Sequence, residues 1–514
     1  MSEGDRAATV RAPWSSWLRL CVPLATALFH ATTARGYGVF RDELYYYACG
    51  QHLAWGYVDH PPMVALFAAL SGALFGSSYV ALRVLVALAA GGAVWLAGTT
   101  AARFGGGSWA ELAAQASTAL APVLVALFAT YSMNGLDVLI WSGLFALAAH
   151  LVDGAPPRLW LSFGLLAGLA LETKVSGLYL GSGLAVGLLA ARRWDLLSER
   201  LLWWGGALTT ALFVPYLTWQ ALHGFPTLEF LENARSSKIA VLSPQEFIAA
   251  QASQAGPVLA LFALAGLAWL LAAPRARPFR SLGWAAVSVL GLLAFSTAKP
   301  YYFAPVWALL FPAGAVAVES WTVGRLQRSL RASVLLLIAS TALFAPLAKP
   351  LLPVEHYLRY AAALGIEAAS DENQALGRLP QYFADMHGWR ELASSVARVV
   401  ATLTPEERAH VCVVAQNYGE AGAIDFYRAE LNLPPAISGH NNYWFWGPGD
   451  CSGEILLILG EQREDHSDDF ETVELGGVHH CVDCMPYENE LAIWIARKLN
   501  VPIAEAWSGA RRFH

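Results

Sequence analysis

The sequence predicts a polytopic α-helical membrane bundle of about eleven transmembrane helices, followed by a water-soluble α/β domain. Three observations carry that prediction. Of 514 residues, 56% are hydrophobic and only 14% charged, with a mean hydropathy of +0.43, a balance that no single soluble globule of this size sustains. Apolar runs of about 20 residues, the length that spans a bilayer, recur through the first 350 positions. Charge divides the chain at the same place: residues 1–350 carry 22 Lys+Arg against 15 Asp+Glu, and residues 351–514 carry 11 against 24. An acidic second part and scattered arginines in the first offer no basic face for nucleic acid.

The runs fall in order at 17–34, 79–98, 109–130, 137–152, 159–173, 175–191, 201–222, 251–273, 281–297, 303–320 and 332–348. No convincing cleavage site follows the first run, so it reads as a retained helix and not as a signal peptide. Short cytoplasmic loops are enriched in Lys and Arg. A cytoplasmic N-terminus collects most arginines of this part inside, among them Arg6, Arg11, Arg19 and Arg103. The same threading leaves Asp42, Glu43, Asp59, Asp137, Glu172, Glu229, Glu232 and Glu246 outside. Residues 351–514 then form an extracytoplasmic domain beyond a 1–350 membrane domain. Two outer loops, 35–78 and 223–250, are long enough for surface helices of their own, and Tyr45, Tyr46, Tyr47 and Trp55 favour the interface. In the outer domain, 408–416 and 454–460 read as buried strands, and 382–399 and 490–498 as helices.

An ionisable side chain at membrane depth is costly and therefore informative. The first outer loop holds the densest set: Arg41-Asp42-Glu43-Leu44-Tyr45-Tyr46-Tyr47, then Gly56-Tyr57-Val58-Asp59-His60-Pro61-Pro62. Asp42 and Glu43 read either as helix N-terminal caps or as site residues. Asp137, at the outer end of a helix, has the same two readings. Glu172 and Lys174 stand two apart and share no helix face; they either snorkel to the interface or meet a polar substrate. Arg83 anchors the outer end of its helix or faces an anion. Lys299-Pro300-Tyr301-Tyr302 is an interface anchor, or a cation beside two aromatic rings suited to a phosphate with an isoprenoid chain.

Of six cysteines, Cys21 lies in a membrane helix and Cys49 in the first outer loop, while Cys412, Cys451, Cys481 and Cys484 lie in the outer domain. An oxidising compartment permits disulfides there. His479-His480-Cys481-x-x-Cys484 has metal-ligand spacing but no second CxxC, which favours disulfides or free thiols over a metal site. The aromatic stretch 438–446 either packs on the membrane domain, contacts an acceptor, or fills the core of its own domain.

Asp42-Glu43-x-Tyr45-Tyr46, Gly56-Tyr57-x-Asp59-His60-Pro61-Pro62, Asp137, Lys174 and Lys299-x-Tyr301-Tyr302, in this order, resemble the polyprenyl-phosphate-sugar glycosyltransferases of the GT-C superfamily. That group includes protein O-mannosyltransferases and the aminoarabinose transferase acting on lipid A. The resemblance continues through Asn417-Tyr418-Gly419-Glu420-Ala421 and Ser438-Gly439-His440-Asn441-Asn442-Tyr443-Trp444. It implies a GT-C bundle in a bacterial cytoplasmic membrane, whose partners are a polyprenyl-phosphate-linked sugar donor and a protein, glycolipid or polysaccharide acceptor on the outer face. Transfer by one displacement inverts the sugar. The resemblance implies Asp42 as catalytic base with Glu43 beside it, and substrate-binding roles for Asp59, His60, Arg83, Asp137, Lys174, Lys299, Tyr301 and Tyr302. A divalent cation on Asp42, Glu43, Asp59 and His60 and a metal-free site built on the lysines are both open. Two other classes stand beside this one. A transporter would place its ions near the midplane in broken helices, often with an internal repeat, and neither pattern is evident; a catalytically inactive envelope-assembly protein is the other.

Overall fold

The computed structural model of the chain describes residues 15–238, 241–296, 298–370 and 372–514. Arg6 and Arg11, assigned above to the cytoplasmic side, lie outside them. Each of the eleven apolar runs is helical over most of its length. The first nine helices are α1 (Ser15–Thr32), α2 (Arg41–Gln51), α3 (Met63–Phe75), α4 (Tyr79–Arg103), α5 (Ser108–Leu120), α6 (Pro122–Leu127), α7 (Met133–Val152), α8 (Leu159–Thr173) and α9 (Gly177–Ala190). The later runs form Arg200–Leu222, Pro257–Ala272, Arg280–Ala294, Trp307–Trp321 and Gln327–Ser340.

Among the described residues, five helices are long and apolar enough to cross a membrane, or six if the bent pair Pro244–Ala255 and Pro257–Ala272 is one span. The other runs are shorter or divided, and the divisions have local causes. Pro122 has no N–H to donate and drives Ala121 into an extended conformation (φ −62°, ψ 122°), which separates α5 from α6. Gly256, at φ 84°, turns the chain before Pro257, so that the flanking helices meet at 112°. Burial sorts the spans. Pro300–Trp321 is buried over 83% of its most apolar window and forms the centre of the bundle, whereas Gln327–Ala348, at 11%, forms its outside.

Beyond the bundle, β1 (Cys412–Val414), β2 (Ala436–Ile437), β3 (Ile455–Leu459), β4 (Phe470–His479) and β5 (Leu491–Leu499) form one sheet in the order β2-β1-β3-β5-β4. The first three strands are parallel, and β5 runs antiparallel to both β3 and β4. The expected strand 454–460 is β3. The expected strand 408–416 shortens to β1 because Thr404 and Glu407 build a capping box that makes Pro405–His410 helical. The expected helix 382–399 is divided: Gln381–Ala384 forms one turn, and the long helix Trp389–Thr402 begins after Gly388 at φ 88°. The expected helix 490–498 is corrected: it is β5. There Leu491, Ile493 and Ile495 are buried while Ala492 and Trp494 are less so, the two-residue alternation of a strand.

That alternation also divides β3 between two cores. Ile455, Leu457 and Leu459 join the main core with Trp389, Leu392 and Ile424. Leu456 and Ile458 meet Cys412, Ile437 and Phe470 on the opposite face, under Ile503 and Trp507. Disulfides link Cys412 to Cys451 and Cys481 to Cys484. No group of three His, Cys, Asp or Glu among the described residues is arranged to hold a metal ion.

The main core is continuous from the bundle into the sheet, and the joint is made by the helix Tyr418–Leu431 lying on α2. Two glycines make the approach possible. A Cβ on Gly419 would come within 2.6 Å of Arg41 Cγ, and one on Gly422 within 2.9 Å of Leu44 Cβ; each pair is spaced by three residues, so one face of each helix is involved. The stretch 438–446 adds to the joint. Asn442 accepts a hydrogen bond from the Val58 N–H at 2.6 Å, Phe445 meets Trp219 edge-on at 5.8 Å, and Trp446 stacks on His52 at 4.4 Å. Replacing Gly422 by Leu should overpack this contact and cost about 1–3 kcal/mol, read as a lower unfolding midpoint in detergent; an unchanged midpoint would mean that the joint is slack.

Candidate active site

α2 starts at Arg41 because Phe40 is extended (φ −84°, ψ 145°) and Glu43, on the first turn, accepts the Phe40 N–H at 2.7 Å. The capping reading of the sequence thus applies to Glu43. The same carboxylate takes three further hydrogen bonds: Arg83 Nε to Oε1 and Arg83 Nη2 to Oε2, both at 2.7 Å, and the Tyr131 N–H to Oε1 at 2.7 Å. Glu43 is 1% exposed and Arg83 2%. Arg83 also donates to the carbonyls of Ala34 (2.6 Å) and Gly38 (2.7 Å). The pair is consumed internally, which leaves neither residue turned to a substrate.

Asp42, one residue earlier on the helix, points elsewhere. Its side chain is 31% exposed, and Oδ1 accepts the Tyr418 hydroxyl at 2.9 Å. Arg41 lies 3.7 Å from the same oxygen, donates from Nη1 to the Tyr487 hydroxyl oxygen at 2.8 Å and lies over the Tyr418 ring. Arg41 and Tyr418 line an open cavity of about 310 Å³ together with Asn417, His440, His514 and Glu372. Behind its wall, Asn417 Nδ2 bridges the buried carboxylates of Glu420 (2.7 Å) and Glu488 (2.9 Å). Burial pushes both up, aided at Glu420 by the charge of Glu488 and at Glu488, which rises to about 7, by that of Asp385.

Asp59 and His60 stand next to this cluster. Tyr45 O–H donates to Asp59 Oδ1 at 3.0 Å, and burial pushes the Asp59 carboxyl up against the opposing pull of His60 and Tyr45. His60 stacks on Tyr57 at 4.5 Å and directs Nδ1 to the Pro61 carbonyl at 2.8 Å; burial lowers its pKa. Its Nε2 makes no hydrogen bond among the described residues.

The cations predicted on the phosphate side fall into two places. Lys174 donates to Asn134 Oδ1 at 2.7 Å and lies 4.2 Å above the Tyr302 ring and 5.6 Å from that of Tyr301. Lys299 pairs with Glu372 at 2.9 Å, and Glu372 lines the cavity. Tyr46, buried between these groups, is an electrostatic neighbour of Asp42, Asp59, Tyr418 and Tyr301 at once. Asp137 accepts Ser176 O–H at 2.8 Å, and its other oxygen has no partner among the described residues. The structure therefore brings Asp42, Asp59 and His60 together and sets Lys174, Tyr301 and Tyr302 beside one another. It withdraws Glu43 and Arg83 into the bundle. Arg41, Tyr418 and Glu372 were not among the expected site residues; Tyr418 lies in one of the outer-domain segments that carry the resemblance, but no spacing rule connects it to Asp42.

Glu43→Gln leaves a buried guanidinium without its counter-charge and should cost about 3–5 kcal/mol, seen as a large drop in unfolding midpoint. Asp42→Asn, on a partly exposed side chain, should leave the midpoint nearly unchanged. Equal midpoints for the two variants would contradict this division.

A family model described as dolichyl-phosphate-mannose-protein mannosyltransferase matches residues 59–219. No curated protein sequence matches the chain. Among solved structures, ArnT from Cupriavidus metallidurans is similar in the apo state, with a TM-score of 0.61 and 16% identity over 94% of this chain and 98% of that one. Its form bound to undecaprenyl phosphate gives 0.58 and 15% over 93% and 98%. The arabinofuranosyltransferase AftD from Mycobacteria gives 0.52 and 14% over 94% of this chain and 40% of its own. At these identities the likeness is one of fold.

Proposed function

We propose that this chain, which has the fold of the GT-C glycosyltransferases, is a membrane glycosyltransferase that moves a sugar from a polyprenyl-phosphate carrier to an acceptor hydroxyl on the outer face of a bacterial cytoplasmic membrane. The observation that carries this reading is Asp42: a partly exposed carboxylate beside a polar cavity, held by Tyr418, at the top of an apolar bundle. The ArnT structure with undecaprenyl phosphate supports a lipid-phosphate donor.

In this reaction the acceptor oxygen attacks the anomeric carbon while its proton passes to Asp42. The bond from that carbon to the phosphate oxygen breaks, and the lipid phosphate leaves with the electron pair. Lys174 and Lys299 balance the charge that develops on it. Tyr301 and Tyr302 flank the isoprenoid chain, and Asp59, His60 and Asp137 bind the sugar. The Tyr418 hydroxyl orients Asp42, so the acceptor meets the face of the base that the tyrosine leaves uncovered. Glu43 has both oxygens occupied by two donors each; it is a positioning residue in this scheme and Asp42 alone takes the proton. The lysines supply the positive charge, so the scheme routes no step through a divalent cation.

Asp42→Asn should abolish transfer of labelled sugar from a polyprenyl-phosphate donor in proteoliposomes, by at least about 10²-fold, while the folded protein is retained. Undiminished transfer would remove Asp42 as the base. Lys299→Ala should raise the donor KM about tenfold with the acceptor KM unchanged; a donor dependence equal to wild type would exclude Lys299 from the phosphate side. Mass spectrometry of envelope glycans and glycoproteins from cells with and without the protein identifies whether a protein, a glycolipid or a polysaccharide receives the sugar.

A further inference from the structure

We propose that the end of the bundle opposite Asp42 holds a second site, which takes the phosphate of a membrane phospholipid. α4 supplies the geometry. Arg83, near its start, belongs to the Glu43 clamp, and Arg103 is its last residue. Twenty residues at a 1.5 Å rise separate them by about 30 Å, the thickness of a bilayer's hydrocarbon core.

At that far end Arg103 and Arg19 face one cavity of about 320 Å³, walled by Thr99, Gln115, Glu111 and His150. Arginines that merely set topology extend into water; these two are fixed on a built wall. Arg19 Nη2 donates to Glu111 Oε1 at 2.8 Å, with Glu111 itself buried, and Gln115 Nε2 ties down the Arg19 carbonyl at 3.0 Å. Arg103 pairs with Asp153 through Nη2 at 2.7 Å, while its Nε is buried without an acceptor among the described residues. A guanidinium carries five N–H donors, and one carboxylate does not exhaust them. Both guanidiniums line one space, and the N–H groups that Glu111 and Asp153 leave unoccupied suit the oxygens of a phosphate.

The cavity lies where the apolar surface of α1 and α4 ends. These helices pack closely, with the Cβ position of Gly91 3.1 Å from Ala27 Cβ. α1 exposes Leu20, Leu24 and Leu28 at four-residue steps, and α4 exposes Leu88 and Trp95, seven apart. Both stripes lead away from Arg19 and Arg103 along the helix axes. A lipid whose phosphate fills the cavity lays its acyl chains on them, with Trp95 on the same apolar surface between headgroup and chains. This site does not depend on the transferase reading, only on the bundle lying in a membrane.

The test is native mass spectrometry of the full chain released from detergent micelles, with phosphatidylglycerol or with diacylglycerol of the same acyl chains. The phosphatidylglycerol adduct should survive conditions that strip diacylglycerol. Arg103→Gln should lower it about fivefold or more. Asp153 is 37% exposed at its side chain, so this variant buries no lone charge, and an unchanged unfolding midpoint verifies its fold. Arg275→Gln, an exposed arginine outside the cavity, should leave the adduct at the wild-type level. Equal adducts for wild type and Arg103→Gln, or for the two lipids, overturn the proposal. Displacement of the lipid by millimolar inorganic phosphate would reassign the site to the free anion and overturn the lipid as its occupant.

Discussion

The buried pair of Glu43 and Arg83 is the constraint on which the rest of the site depends. Removing two charges from water costs several kcal/mol each, and their attraction offsets that only when the remaining donors and acceptors are satisfied. Here they are satisfied by groups from four places in the chain: the start of α2, the turn at Ala34–Gly38 marked by its two carbonyls, α4, and the Tyr131 amide just before α7. Any rotation of α2 breaks several of these bonds together. The helix is thus held in one register, and in that register Asp42, about 100° round from Glu43, faces Tyr418 of the C-terminal region.

The C-terminal region completes what α2 begins. Tyr418 carries the hydrogen bond to Asp42 from 376 residues away, and Asn442 reaches both the Val58 amide and Tyr45, the residue that holds Asp59. The two glycines of Tyr418–Leu431 remove the side chains that would hold these groups apart. The cavity beside Asp42 consequently has one wall from the first outer loop and the others from the domain after residue 350. The carboxylate is placed by one apolar core that runs from the bundle into the sheet, without a disulfide between the two parts among the described residues.

Much of the bundle was legible because a bilayer leaves few choices: every apolar run of the right length is helical, and the two long loops 35–78 and 223–250 hold short helices. The divisions at Pro122 and Gly256 are written in the same residues, yet whether a proline kinks or ends a helix depends on what packs beside it. The segment 490–498 reads equally as either element when taken alone, because Leu491 to Ala496 is an almost unbroken apolar run; only its pairing with β3 and β4 makes it a strand. At the site, the motif located Asp42, Asp59 and His60 together. The resemblance singled out Asp42 as the base with Glu43 beside it; that Glu43 is turned inward onto Arg83 is a matter of rotation about α2, which becomes visible only once Arg83 is in place. Lys299 was found as a cation, but Glu372, its partner 73 residues later, had no signal of its own.

α4 joins the Glu43 clamp to the Arg103–Asp153 pair without an internal proline. With no proline, a common cause of sharp kinks, the helix carries a tilt from one end to the other much as a rod does. When its apolar length and the surrounding hydrocarbon differ, such a rod tilts at a cost of fractions of a kcal/mol per ångström, and its upper end carries Arg83 sideways. The four bonds at Glu43 oppose that displacement. In a bilayer of mismatched thickness such a tilt would load the loop that carries Asp42, and the clamp is the set of bonds placed to resist it.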